Sequence, residues 1–152
     1  MGVISSVSSI IASQLETVAA LAGVDVAVRH IYEIDNAEMD ALHVSVCPRG
    51  ADVTNLSRSF WQYEARIGVF VSRRADTNAE ATSLMTTTEA IIEKLKSADT
   101  SAQSTVMVGA TASVVCTAIT VDLETDDSLN ERNVFRATME ATYKIVTNVA
   151  AN

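Results

Sequence analysis

The sequence predicts an α+β fold: an antiparallel or mixed β-sheet of about five strands with two helices packed on one face. Three observations carry this. Two segments, 3–21 and 77–96, repeat apolar residues at three- and four-residue steps. Segments near 24–34, 41–47, 59–73, 106–123 and 134–147 alternate with period two or are rich in β-branched residues. The strands come in consecutive runs rather than singly between helices, which favours hairpins. With 152 residues, 48 % of them hydrophobic, the chain reads as one domain, 1–152, able to bury a sizeable core.

The elements follow in order. Ile4, Val7, Ile10, Ile11, Leu15, Val18 and Leu21 form one helical stripe, and Gly23 stands where a helix commonly ends. Val24, Val26 and Val28 alternate with polar or small residues and predict the first strand. Leu42, Val44 and Val46 make a second, which Pro48-Arg49-Gly50 is expected to break, leaving 51–57 as a polar loop. Trp61, Tyr63, Ala65, Ile67, Val69 and Val71 then share one face, with Gln62, Glu64, Arg66 and Ser72 on the other. Thr77 and Glu80 have the spacing of a capping box, and Leu84, Met85, Ile91, Ile92 and Leu95 form the stripe of the helix behind it. Gly109 marks a break or bulge in 106–123, and Phe135, Ala137, Met139, Ala141, Tyr143 and Ile145 define the last strand. Trp61 and Tyr63 are expected to pack on that second helix, chiefly on Leu84, Ile91 and Ile92, because large aromatics dominate core burial.

The net charge is −8 and the pI about 4.6, unlike the basic balance of a DNA-binding domain. The charge is uneven. Arg49, Arg58, Arg66, Arg73 and Arg74 face only two carboxylates in the same stretch, and read as a basic contact edge. Asp122, Glu124, Asp126, Asp127 and Glu131, followed by Arg132, form an acidic turn. Such turns are either solvated loops or docking tips for a basic surface. Catalytic constellations are not found, and neither a cofactor nor a metal is expected. His43 and Cys47 are ligand types, but four residues apart on a strand they lie about 13 Å apart. The carboxylate spacing lacks the glycine and terminal glutamate of a calcium loop. Cys47 and Cys116 are expected to be reduced. Membrane-spanning apolar runs are lacking.

The run Leu42-His43-Val44-Ser45-Val46-Cys47-Pro48-Arg49-Gly50, then Ser57-Arg58, then Tyr63-Glu64-Ala65-Arg66-Ile67-Gly68-Val69, resembles the tail terminator, or tail completion, proteins of tailed bacteriophages. Shared are a V-x-V-x-P-R strand end, a serine-arginine ahead of a long strand through I-G-V, and the order of helices, over about residues 3–147. The acidic turn at Asp126-Asp127 departs from that pattern. The resemblance implies a non-enzymatic virion protein, assembled in the host cytoplasm. It would form a homo-oligomeric, hexameric ring that caps the tail tube, stops its polymerisation and meets the head connector or a neck protein. Genomic DNA would pass through the lumen without specific binding, which a net negative chain suits. Other head-tail joining, head-completion or neck proteins share this size, and a small cytoplasmic binding module or enzyme with a pocket is a third reading. A head-to-tail ring needs two different complementary surfaces on each subunit. Arg49, Arg58 and Arg66 on one side, and Asp126, Asp127 and Arg132 on the other, are the candidates.

Overall fold

The computed structural model describes residues 3–29, 41–75, 77–106, 113–124 and 134–148. It contains α1 (Val3–Leu15), a 3-10 turn (Ala19–Leu21), β1 (Asp25–Val28), β2 (His43–Asn55), β3 (Phe60–Arg74), α2 (Asn78–Val106), β4 (Ser113–Glu124) and β5 (Val134–Asn148). The five strands form one mixed sheet in the order β1-β2-β3-β5-β4, with β1 and β2 parallel and the other neighbours antiparallel. The α+β class is as the periodicity predicts.

Both helices cover one face of the sheet. Each strand sends every second residue toward them. Val44 and Val46, Ile67 and Val69, Met139, Tyr143 and Ile145 are fully buried there, against Val7, Ile11 and Leu15 of α1 and Ile91 and Leu95 of α2. The Tyr143 hydroxyl donates to the Leu95 carbonyl at 2.8 Å, so the one large polar group in this core is satisfied and ties α2 to β5. Ser8 and Thr88 are likewise buried with their hydroxyls donating to the carbonyls of Ile4 and Leu84, four residues earlier in each helix.

Several boundaries differ from the sequence expectation, each for a local reason. The first helix ends at Leu15, not Leu21. Thr17 turns its hydroxyl onto the Gln14 carbonyl at 2.6 Å, and three-residue hydrogen bonds from Thr17 and Val18 tighten the chain out of the helix. Gly23 then adopts φ 76°, a left-handed conformation that suits glycine. β2 does not stop at Pro48. Among the described residues β1 accompanies it only to Val46, so at Pro48 that side of β2 is an edge, where proline is tolerated. A bulge between Pro48 and Gly50 absorbs the break, and pairing with β3 resumes from Gly50–Arg66 to Asn55–Trp61. The expected polar loop 51–57 is thus mostly strand. The second helix begins as expected, with the Glu80 amide donating to the Thr77 hydroxyl, but runs on to Val106 through small residues that favour no turn strongly enough to end it. β4 starts at Ser113 and carries a bulge at Cys116/Ala118, while Gly109, the expected break, lies outside the described residues. Cys47 and Cys116 are both thiols. They lie on opposite faces of the sheet, with β3 and β5 between their strands.

Candidate assembly surfaces

Beyond Ala51 and Ala65 the β2–β3 hairpin leaves the core and continues as an arm, flanked on its other side by the end of β5 up to the Phe60–Asn148 pair. The arm is two-sided because the strand alternation continues. Asp52, Thr54, Gln62 and Glu64 lie on one side and Val53, Trp61 and Tyr63 on the other. The helices do not reach the apolar side fully. Val53 is 49 % exposed and Leu56, at the turn, 52 %. The turn is closed by backbone bonds from Leu56 and Ser57 to the Phe60 carbonyl, and it holds Arg58 at the exposed tip.

Trp61 is half-buried and stands outside the core cluster, so its expected place on Leu84, Ile91 and Ile92 is not what the fold provides. Tyr63 does pack against the cluster from its rim. The aromatic that fills the centre is Tyr143.

The helix-free face of the sheet carries a second surface. Ser45, Cys47, Gly68, Phe70 and Ser72 are buried on it, next to an outer zone of charged residues. The guanidinium of Arg49 lies 5.7 Å from the centroid of the Phe70 ring. Its stem crosses Gly68 so closely that a Cβ there would stand 3.2 Å from both Cγ and Cδ. Arg66 pairs with Asp52 at 3.1 Å and passes over Gly50, where φ is 150° and a Cβ would come within 2.9 Å of Nη2. Burial pushes the Cys47 thiol pKa up, against a smaller pull downward from Arg49 and Arg29. Arg49, Asp122 and Glu140, with Thr120, Thr138 and Phe70, line a shallow cavity of about 220 Å³ on this face.

The five arginines therefore do not form one basic edge. β3 is the middle strand of the sheet; Arg74 ends it, while Arg58 sits in the turn before Phe60, at the other end of a strand about 45 Å long. Arg49 and Arg66 share the helix-free face. Asp126, Asp127 and Arg132 lie outside the described residues. Among the described residues there is no cluster of histidine, cysteine and carboxylate groups able to hold a metal ion.

A third surface runs along β4, the outermost strand on this side among the described residues. Ile92 and Lys96 of α2 and Cys116, Thr117, Ala118, Ile119 and Val121 of β4 line an apolar groove of about 320 Å³. Val121 is 38 % and Leu123 45 % exposed on the same side of β4. Sequence reasoning missed the arm and this groove. Val53 and Leu56 of the arm read as part of a polar loop, and Ile119 and Val121 of the groove alternate just as core residues do.

Neither a protein-family model nor a curated protein matches the chain. Among solved structures it is similar to a chain of the virion of a native gene transfer agent particle, with TM-score 0.49 and 14 % identity over 93 % of each chain. At that level the likeness carries no functional weight.

Proposed function

We propose that this chain is a structural virion protein of a tailed phage or phage-like particle that works by assembling with other copies of itself. Its specific role is to form a head-to-tail ring, hexameric as in tail terminators, at the end of a tail tube. There it ends tube polymerisation and offers a surface to the head connector. The role is non-catalytic. The reading is supported by the resemblance carried by Leu42–Val69 and by one observation above all. The β2–β3 arm runs on from a well-packed core with Val53 half-exposed on its apolar side and Leu56 half-exposed at its turn. A monomer gains nothing from such an arm, whereas a subunit that must reach its neighbour does.

Native mass spectrometry of the full chain, alone and with tail tubes of its own particle, tests this. A six-fold species, or one that appears on tube ends and halts their growth, supports it. A strict monomer under both conditions overturns it.

A further inference from the structure

We infer that the arm of one subunit docks into the groove between α2 and β4 of a second copy of this chain, with Leu56 as its leading side chain. The inference rests on the ring reading and gives that ring its contact. Each subunit has an apolar projection and an apolar recess, and the two are different surfaces. Within one subunit they cannot meet: β3 and β5 separate β2 from β4, about 14 Å in three strand spacings. Between subunits they make a heterologous contact, the kind that closes into rings.

Charge favours the same pairing and fixes its direction. The arm is positive at its tip, where Arg58 is exposed. The groove is graded in charge. Glu89 lies on the helix stripe of Ile92 and Lys96, one turn before Ile92, so a carboxylate stands at one end and the Lys96 ammonium at the other. Lys96 also pairs with Glu93 at 2.7 Å, but both side chains are largely exposed, so that bond yields readily. The tip therefore enters at the Glu89 end. The docked apolar residues supply the affinity, and the charges set the register and speed the encounter.

Cys116 provides the test, because its thiol lines the groove. In a Cys47→Ala background, Leu56→Cys is oxidised with copper phenanthroline and run without reductant. Thr54→Cys, two residues and about 7 Å further from the tip, is the control. A ladder of covalent oligomers from Leu56→Cys, absent from Thr54→Cys, is expected, since a disulfide forms only where Cβ atoms approach to about 4 Å. In the native background, Leu56→Asp is expected to raise the concentration needed for assembly about tenfold or more, with the subunit's melting temperature unchanged. If rings form and neither Leu56→Cys cross-linking nor Leu56→Asp weakening is seen, the docking inference falls and the ring stands. If no oligomer and no cross-link form, both fall.

Discussion

β3 presents two surfaces in one strand. From Ala65 to Val71 every second side chain is fully buried beneath the helices. From Phe60 to Tyr63 the same alternation continues, in register with β2 and β5, yet no side chain is fully buried. Pairing and pattern do not change along the strand; only the cover does. Period-two alternation states which residues share a face. What lies on that face depends on where the helices end, and here they leave the arm apolar and open. The core half of the strand holds the fold, and the arm half keeps part of its apolar side exposed.

Replacing one residue of each half breaks the comparison most directly. Ile67→Ala, at a fully buried site, is expected to cost about 2–5 kcal/mol in urea unfolding of the isolated subunit. Val53→Ala, on the same face of the sheet but in the arm, is expected to change stability by no more than about 0.5 kcal/mol. Equal losses would mean that the arm is core and has no free surface to offer.

Trp61 sharpens the boundary. It is half-buried where the core gives way to the arm. Trp61→Ala is expected to cost about 1–2 kcal/mol, below the 3–5 of a fully buried aromatic. Its fluorescence should be quenched by acrylamide in the monomer and protected on assembly. A core-sized loss with no quenching would return Trp61 to the helix stripe.

The fold class, the helices and the alternating strands were legible because periodicity is set locally by backbone geometry. Thr77 and Glu80 announced the start of α2 for the same reason. The strand beyond Pro48 was not legible, because whether proline ends a strand depends on how far the neighbouring strand extends, which is a tertiary fact. The grouping of the arginines failed in a similar way: Arg58, Arg66 and Arg74 are near in sequence, but an extended strand carries them far apart. Trp61 was misplaced because its period matches that of Ile67, and period states which face a residue is on, not how deeply that part of the face is covered. Val53 and Leu56, the residues that matter most for the proposed contact, looked like part of a polar loop.

The helix-free face offers a smaller effect. Arg66 and Asp52 pair there across β2 and β3, with side chains 37 % and 74 % exposed. An exposed pair contributes little, and a double-mutant cycle of Arg66→Met and Asp52→Asn is expected to return about 0.2–1 kcal/mol, falling as salt is added. A coupling well above that would show that the pair is shielded from water, as in an interface already formed between copies.

The two thiols test the faces with almost no change in stability at neutral pH. Cys47 is buried on the helix-free face, while Cys116 lines the open groove. Burial raises the pKa of Cys47 from its ordinary value of 9.0, with Arg49 and Arg29 opposing in part. The folded state therefore binds the thiol proton more tightly than the unfolded chain. The stability this represents is fully present below pH 9 and is lost as pH rises from there through the folded pKa. Cys47→Ala should accordingly flatten the alkaline fall in stability slightly and leave the neutral region alone. At pH 8, iodoacetamide should alkylate Cys116 first, and Cys47 only as fast as the chain opens, since the thiolate is the reactive form. Intact-mass spectra over time resolve the two steps. Docking of the arm would slow Cys116 in the assembled ring and leave the rate at Cys47 as it was. Equal rates at the two thiols in the monomer would mean that the helix-free face is as accessible as the groove, and the contrast between them would be lost.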